Sequence, residues 1–226
     1  MTFPDLHRWD LTPKEAIALQ RELSERIVLR DEVPEPVRLI AGVDVSCARF
    51  SPRVYAAVIL YDLQSNQVVE RVSAQAAEAF PYVPGLLSFR ELPVVLAACR
   101  KLQRTPDVVL VDGQGIAHPR RLGIASHLGL WLDLPTIGCA KSRLCGEHDQ
   151  PGTLRGAWAR LMDGADEIGR VLRTRDRVRP LFVSPGHRVG LERAVQIVLA
   201  CGRGYRLPEP TRLAHVESNK LRVRQV

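Results

Sequence analysis

Three carboxylates occupy positions in this sequence that could support metal chemistry. Asp44 interrupts the apolar run 39–45, Asp112 directly follows the apolar run 108–111, and Glu91 falls in a stretch with helical spacing. A carboxylate inside an apolar strand is costly to bury unless it is paired or bound to a metal ion. The pattern therefore raises the hypothesis that the three acids meet at one site.

A divalent cation would explain such a meeting, because converging carboxylates repel one another and a cation relieves the repulsion. Oxygen-only ligands favour Mg²⁺ or Mn²⁺ over zinc. Ions held in this way activate water and stabilise the charge that develops during phosphodiester cleavage. Simpler interpretations stay open: Asp112-Gly113 is a common turn dipeptide, Glu91 suits an exposed helix face, and Asp44 could pair with an arginine. Together, in the topology predicted next, the three acids favour the metal site.

Apolar periodicity and turn residues predict the elements that would position these acids. Thr12-Pro13-Lys14-Glu15 forms a capping box with proline at the first helical position, which predicts a helix over about 12–30. Three apolar runs with short links, at 37–47, 53–62 and 67–73, predict an antiparallel meander. The remaining predicted elements are a helix over 86–102, strand 107–112, helix 122–131, strand 136–139, strands 168–173 and 181–184, and helix 191–201.

This order of elements predicts the fold class. It is typical of an α/β protein with a ribonuclease H-like mixed β-sheet, in which three antiparallel strands are followed by parallel strands and helices flank the sheet. Neither a repeat nor a low-complexity linker interrupts the chain, so we expect a single domain over 1–226. The segment of about 216–226, with Lys220, Arg222 and Arg224, is predicted to be a flexible basic tail.

Composition narrows the class of protein and its partners. With 226 residues, of which 46% are hydrophobic and 25% charged, the chain is typical of a globular protein rather than a disordered or fibrous one. No apolar run approaches the ~20 residues that span a bilayer, and no signal peptide is visible, so we expect no membrane partner. Five cysteines without a C-x-x-C pair favour reduced thiols and a cytoplasmic location.

The charge of the chain favours a polyanionic partner. The net charge is +7, and the last 57 residues, from Arg170 onward, contain 13 basic and 4 acidic residues. Such a basic region beside a near-neutral body is typical of proteins that bind nucleic acid. Because 28 of the 32 basic residues are arginine, codon bias in a GC-rich genome is the alternative explanation.

Six blocks of the sequence carry a resemblance to a known family. They are 41–44 (AGVD), 81–91 (PYVPGLLSFRE), 111–123 (VDGQGIAHPRRLG), 135–138 (PTIG) with Lys141-Ser142, 185–188 (PGHR) and 204–212 (GYRLPEPTR). In these blocks the chain closely resembles the endonuclease V family, the deoxyinosine 3′-endonucleases, from about residue 38 to 215 and in the family's order. The match is weaker before residue 38, over 147–165 and after 215. The family is ribonuclease H-like, in agreement with the topology predicted from the elements.

The resemblance implies a role for each matching residue. Asp44, Glu91 and Asp112 would bind catalytic Mg²⁺, His215 would lie near the metal, and Lys141 would serve the attacking water or the phosphate. The residues of the lesion-base pocket would be Gly85, Leu87, Gly113, Gly123, Ile124 and Gly138. The strand wedge would be Pro81, Tyr82, Val83 and Pro84. Side chains expected to contact DNA are His118, Arg120, Arg121, Arg206 and Arg212.

The implied activity is that of a Mg²⁺-dependent endodeoxyribonuclease in DNA repair. It would bind DNA that contains deoxyinosine or another deaminated base and hydrolyse the second phosphodiester bond 3′ to the lesion, leaving 3′-hydroxyl and 5′-phosphate ends. We expect a monomer, and Mn²⁺ to substitute for Mg²⁺. One alternative is a related nuclease that acts mainly on inosine-containing RNA or on structured DNA. Another is a lesion-binding protein without catalysis, which the intact set of Asp44, Glu91, Asp112 and Lys141 disfavours.

Overall fold

The computed structural model describes residues 1–47, 53–77 and 80–223. Its centre is one mixed sheet of eight strands. The strands are β1 Leu39–Cys47, β2 Arg53–Asp62, β3 Gln67–Ala77, β4 Val108–Val111, β5 Thr136–Ala140, β6 Trp158–Asp163, β7 Asp166–Leu172 and β8 Leu181–His187. The helices are α1 Pro13–Ser24, α2 Leu87–Cys99, α3 Ile124–Leu132, α4 Leu191–Ala200 and α5 Glu209–Val223.

The sheet confirms the predicted fold class. Its strand order is β3-β2-β1-β4-β5-β8-β7-β6. The first three strands are antiparallel, whereas β1, β4 and β5 are parallel neighbours. The remaining pairs, from β5 through β8 and β7 to β6, are antiparallel. The registers pair Val43 of β1 with Val111 of β4, so the next residues, Asp44 within β1 and Asp112 directly after β4, are neighbours.

Helices cover both faces of this sheet. Alternate residues of β1 therefore pack into two different hydrophobic cores, one on each face. Ala41 and Val43 belong to a core shared with α2 and α3, whereas Ile40 belongs to a second core with α4. Gly42 lies under α5, where an added Cβ would be 2.1 Å from the carbonyl carbon of Pro210. Only a glycine permits this approach of helix and strand, because a side chain would overlap the helix backbone.

The first helix begins as predicted but ends earlier. Thr12 Oγ1 accepts a hydrogen bond from the Glu15 amide at 3.3 Å, and the Glu15 carboxylate accepts one from the Thr12 amide at 2.7 Å. The helix ends at Ser24 rather than near residue 30. Beyond it the backbone of Val28 bonds His187 and Arg188 at the end of β8, and these contacts replace helical hydrogen bonds.

Two elements were missed in the sequence. Strand β6 is a short edge strand whose sequence, WARLMD, mixes exposed and buried positions without regular alternation. Helix α5 replaces most of the predicted flexible tail: residues 216–223 are helical, and residues 224–226 lie outside the described residues. This helix packs on β1 and β2. Its buried residues include Thr211 and Ser218, so its sequence lacks the apolar stripe that usually identifies a packed helix.

Within the described ranges, every helix is too short or too polar to cross a bilayer.

Candidate active site

Two strand ends and one helix bring three metal-ligating side chains together. Asp44 lies near the end of β1, Asp112 follows β4, and the Asp112 amide donates to the Val43 carbonyl at 3.1 Å. His215 reaches them from α5. One ligand atom from each of Asp44, Asp112 and His215 can be chosen so that all three lie within 4.8 Å of one another. Two carboxylates and an imidazole at this separation fit a divalent cation.

Helix α5 also holds Asp44 through polar contacts. Ser218 Oγ donates to Asp44 Oδ2 at 2.5 Å, and His215 Nδ1 lies 3.4 Å from the same oxygen. Asn219 donates to the His215 carbonyl at 2.7 Å, and its own side-chain oxygen accepts from Ser46 of β1 at 3.2 Å. The residues 218 and 219 belong to the part of the chain that was predicted to be a flexible tail. Helix α5 is therefore part of the site.

The electrostatics of the acidic pair favour a bound cation. Burial raises the pKa of Asp44 to about 6; the hydrogen bond from Ser218 opposes this shift, and the charge of Asp112 adds to it. Asp44 is only 6% exposed. A nearby positive charge would stabilise Asp44 as a carboxylate and so oppose this shift.

Lys141 supplies one positive charge at this site. It follows β5, the parallel neighbour of β4, and its ammonium forms an ion pair with Asp112 Oδ2. The Lys141 side chain is 38% exposed, so its ammonium can also reach a ligand from solvent. Arg206 holds this segment in place, because its guanidinium donates to the Lys141 carbonyl at 2.6 Å and to the Pro180 carbonyl at 2.9 Å.

Glu91, the third acid predicted to bind metal, lies on α2 and is half-buried. Among the described residues, the group of possible metal ligands consists of Asp44, Asp112 and His215 and does not include Glu91. Its assignment as a ligand therefore stays a prediction.

A cavity of about 390 Å³ adjoins the acidic group. Asp112 and Lys141 line it, so the cavity and the possible metal site share two side chains. Predicted pocket and wedge residues that line the cavity are Tyr82, Val83, Pro84, Gly85, Leu87, Gly113, Gly123 and Ile124. Gly138 lies behind this wall, where an added Cβ would be 2.3 Å from the Gly115 nitrogen. The volume suits a flat ring system the size of a nucleobase.

Two helix starts and a close backbone contact adjoin the cavity. A Cβ added to Gly123 would lie 2.3 Å from the Gln114 carbonyl oxygen, so the start of α3 and the turn after β4 touch backbone to backbone. Helices α2 and α3 both begin at the cavity, and neither N-cap residue provides a side-chain cap. The amides of Leu87, Ser88 and Ile124 donate to no acceptor in the described ranges. Two helix N-termini thus present free donors and partial positive charge to a ligand in the cavity.

The Gly85 carbonyl, beside the cavity, is held by three donors. Gln20 Nε2 donates to it at 3.0 Å, His118 Nε2 at 3.1 Å and Arg120 Nη2 at 2.8 Å. Burial, and to a lesser degree the charge of Arg120, lowers the pKa of His118 to about 4. His118 and Arg120 therefore support the pocket loop in this structure, and their predicted contact with DNA stays a prediction.

The other side chains predicted to bind DNA also make contacts within the protein. Arg121 pairs with Asp163 at 2.7 Å and with Asp166 at 3.2 Å. Arg212 pairs with Glu209 at 2.7 Å, and its guanidinium lies 4.4 Å from the centre of the Tyr205 ring. Tyr82 of the predicted wedge, by contrast, is 70% exposed. Pro81 precedes it outside the cavity lining.

Several site residues escaped the sequence analysis. The cavity is also lined by Gln20, Ser88, Gln114, Leu122, Ala140, Ser142, Arg143 and Leu144. Gln20 gives a usable signal, since it occupies a buried position of the amphipathic helix α1. Ser88, Ser142 and Arg143 lie within or beside the family blocks. Nothing in the local pattern of Ser218 and Asn219 distinguishes them from surface helix residues.

Comparisons with known proteins agree with this geometry. A family model described as Endonuclease V matches residues 21–216. An endonuclease V of Gloeobacter violaceus is 55% identical over 225 residues, covering 96% of this chain and 89% of that protein. The crystal structure of endonuclease V from Streptomyces avermitilis is similar with a TM-score of 0.91 and 44% identity, covering 96% of both chains.

A more distant relative was crystallised with nucleic acid. Endonuclease V of Ciona intestinalis, in complex with a 24mer DNA containing an inosine followed by a ribo-adenosine, is similar with a TM-score of 0.82 and 25% identity, covering 94% of this chain and 98% of that chain. The family model and the relatives each match most of the chain. The chain therefore belongs to the endonuclease V family of nucleases.

Proposed function

We propose that this protein is a DNA repair endonuclease that recognises deoxyinosine. It hydrolyses the second phosphodiester bond 3′ to the lesion, by Mg²⁺-dependent catalysis, and leaves 3′-hydroxyl and 5′-phosphate ends. The observation that carries the proposal is that Asp112 of the possible metal group, and Lys141 paired with it, also line the adjoining cavity of about 390 Å³. A base held in the cavity would keep a nearby phosphate of the same strand at the acidic group.

The acidic end would act on the phosphate. When bound, a divalent cation supplies charge neutralisation at the scissile phosphate and acidifies the attacking water. Asp44, Asp112 and His215 would hold it, and we assign Glu91 as a further ligand. Lys141, which is anchored by Asp112 and partly exposed, would donate to a phosphate oxygen or to the attacking water. Mg²⁺ suits the carboxylate-rich set, and Mn²⁺ would substitute for it.

The cavity would bind the lesion base after it leaves the helix stack. Gly85, Leu87, Gly113, Gly123, Ile124 and Gly138 would form the walls through their backbone. The free amides at the starts of α2 and α3 are suited to acceptor atoms such as the exocyclic oxygen of hypoxanthine. Tyr82, with the rigid frame of Pro81, Val83 and Pro84, would fill the gap in the stack.

DNA containing deoxyinosine or another deaminated base is the proposed partner. The Ciona relative was crystallised with DNA containing inosine, and the net charge of +7 suits a polyanion. We assign phosphate contacts to His118, Arg120, Arg121, Arg206 and Arg212. For His118 and Arg120, this contact would require rearrangement of their hydrogen bonds to the Gly85 carbonyl.

A monomer in the cytoplasm completes the proposal. All five cysteines are free thiols, as suits a reducing compartment.

RNA is a second candidate substrate. The nucleic acid bound to the Ciona relative has a ribo-adenosine directly after the inosine, so a ribose on the 3′ side of the lesion is compatible with binding in that protein. Side-by-side cleavage of matched DNA and RNA strands with one inosine distinguishes the two. Faster cleavage of the DNA supports the proposal, and equal or faster cleavage of the RNA overturns the assignment of DNA.

The decisive experiment is to map the cut on a duplex with one deoxyinosine, with Mg²⁺ and with EDTA, beside the same duplex with deoxyadenosine. We expect one nick, at the second phosphodiester bond 3′ to deoxyinosine and only with Mg²⁺. A nick elsewhere contradicts the proposed position, and a nick in EDTA contradicts the metal dependence.

A further inference from the structure

A chain of hydrogen bonds leads from residue 8 to the wall of the cavity. His7 Nδ1 lies 2.7 Å from the Arg8 carbonyl oxygen, and His7 Nε2 lies 2.7 Å from His127 Nε2. His127 Nδ1 in turn lies 3.0 Å from Ser88 Oγ. Ser88 lines the cavity from the first turn of α2 and is 3% exposed. The two imidazoles therefore connect a backbone carbonyl to the hydroxyl of a residue that lines the cavity.

The chemistry of the groups gives every bond in this chain a direction. A carbonyl oxygen only accepts, so His7 Nδ1 carries the proton and a neutral His7 accepts at Nε2. Trp131 Nε1, which only donates, also points to His7 Nε2 at 3.3 Å. His127 must then donate from Nε2, which makes its Nδ1 the acceptor. Ser88 consequently donates its hydroxyl proton to His127.

Both imidazoles are kept neutral, as this assignment requires. His127 is fully buried and His7 partly so, and their rings lie 4.9 Å apart among Trp9, Phe89 and Trp131. Burial lowers the pKa of His7 and lowers that of His127 well below its usual value, the latter with help from the neighbouring imidazole. Protonation of either ring would place an unpaired charge in this aromatic cluster.

Ser88 Oγ is therefore left with lone pairs and no free proton. In the described ranges no donor is bonded to this oxygen. We infer that Ser88 is a specificity-determining residue, whose hydroxyl, oriented by His127 and His7, accepts a hydrogen bond from a ring N–H of the base in the cavity. The inference rests on the proposed function and deepens it.

This orientation would separate a deaminated base from its parent. Adenine has an unprotonated N1, which is an acceptor, whereas hypoxanthine carries a proton at N1 and is a donor there. Cytosine and uracil differ in the same way at N3. A pocket oxygen that can only accept would bond the deaminated base and oppose a lone pair on the parent. The backbone amides would donate hydrogen bonds to the exocyclic oxygen of the base. Ser88 would in addition accept a hydrogen bond from the protonated ring nitrogen.

The test compares Ser88→Ala with the unchanged protein on three duplexes. They carry deoxyinosine, deoxyadenosine or purine 2′-deoxyriboside, which lacks both the N1 proton and the exocyclic oxygen, at one position. Single-turnover cleavage is measured, and binding is measured by fluorescence anisotropy with Ca²⁺ in place of Mg²⁺. We expect Ser88→Ala to lower deoxyinosine cleavage and affinity about tenfold and to leave purine deoxyriboside unchanged. The ratio of the two substrates therefore falls about tenfold.

Two further variants separate orientation from packing. Ser88→Thr keeps the hydroxyl, so it should keep most of the deoxyinosine preference. Ser126→Ala is the matched control, because Ser126 is a buried α3 serine without a hydrogen-bond partner in the described ranges and outside the cavity lining. It should keep the unchanged ratio. His127→Leu should reduce the ratio as Ser88→Ala does, since the serine proton is then free to turn toward the base; if this variant does not fold, Ser88→Ala decides.

The outcomes distinguish failure of the Ser88 inference from failure of the proposed function. A Ser88→Ala protein with the original ratio, or with equal losses on deoxyinosine and purine deoxyriboside, overturns the inference. If the unchanged protein prefers to bind deoxyinosine but does not cut it, the proposed endonuclease activity fails and the binding ratio still tests Ser88. If it shows no preference for deoxyinosine in binding, the inference is overturned together with the proposed lesion recognition.

Discussion

The acidic group and the cavity, the two ends of the site, differ in the residues that form them. The acidic end consists of charged and polar side chains, Asp44, Asp112, His215 and Lys141, gathered from two strand ends, helix α5 and the residue after β5. The cavity end includes two helix starts and three glycines, Gly85, Gly113 and Gly123, at each of which an added Cβ would lie within 2.7 Å of another atom. Function at the acidic end therefore depends on which side chain is present. At the cavity end it depends on a side chain being absent, so opposite kinds of substitution test the two ends.

The largest effect is expected at the acidic end. Asp112→Asn keeps the shape of the side chain but removes a charge shared by the possible metal group and the Lys141 ion pair. Single-turnover cleavage of the deoxyinosine duplex should fall about a thousandfold or more, because metal-assisted charge stabilisation contributes several kcal/mol. Binding of the duplex in Ca²⁺, measured by anisotropy, should change little. Full cleavage activity in the variant would remove Asp112 from the metal site.

At the cavity end an added methyl group should be the damaging change. In Gly123→Ala the new Cβ would lie 2.3 Å from the Gln114 carbonyl oxygen, so the turn or α3 must move. Overpacking of this kind costs about 1–3 kcal/mol, and we expect a lower melting temperature and a loss of deoxyinosine preference. Gly190→Ala is the matched control, since its added Cβ has no neighbour nearer than 3.8 Å. Equal behaviour of the two variants would show that the backbone contact is not needed.

Tyr82 is an exposed side chain that lines the cavity, and its removal should affect binding alone. Tyr82→Ala should weaken affinity for the deoxyinosine duplex by about 1–3 kcal/mol, the range for loss of stacking on a base. Because the ring is 70% exposed, the melting temperature should not change. Tyr82→Phe should keep the affinity, as stacking needs the ring and not the hydroxyl. Unchanged affinity in Tyr82→Ala would make this segment a surface turn.

The metal-free acidic end should lose stability as pH rises. The pKa of Asp44 is raised to about 6 in the folded protein, against about 3.9 when unfolded. Between these values the folded state binds more protons, so the unfolding free energy falls with increasing pH, by about 1–3 kcal/mol for this group. Asp44→Asn should abolish that part of the slope in EDTA melts, and Mg²⁺ should offset it in the unchanged protein. Identical slopes with and without Asp44 would contradict the shift.

The cavity end should show a slope of the opposite sign. The pKa of His118 is lowered to about 4 by burial, against about 6.5 when unfolded. Its contribution to stability is complete above the unfolded value and is lost as the pH falls from about 6.5 toward 4, because the unfolded state then binds the extra proton. His118→Gln should flatten this part of the profile. A profile in His118→Gln that matches that of the unchanged protein would contradict the shift.

Prediction from sequence succeeded where the signal is local. The positions of β1, β2 and β4 follow from apolar runs of strand length, and the capping box at Thr12 marks the start of α1. It failed at α5, whose buried positions include Ser218 and Thr211. That helix contacts the sheet through small and polar side chains and the gap left by Gly42, so its sequence resembles an exposed segment. The contacts that identify it join residues more than 160 positions apart.

Residue types and their spacing were enough to predict the mixed sheet with three antiparallel strands, to place Asp44 and Asp112 on neighbouring strands, and to identify the endonuclease V blocks. Each of these depends on periodicity or on short motifs. The tertiary structure was needed to show that α5 packs over Asp44, that Gln20, His118 and Arg120 hold one carbonyl, and that Ser88 is bonded through His127 to His7. Such contacts depend on direction and distance between remote residues, which hydrophobic periodicity does not encode. The candidate acids are therefore predictable from residue types, whereas the proposed role of Ser88 depends on the hydrogen bonds that the fold gives it.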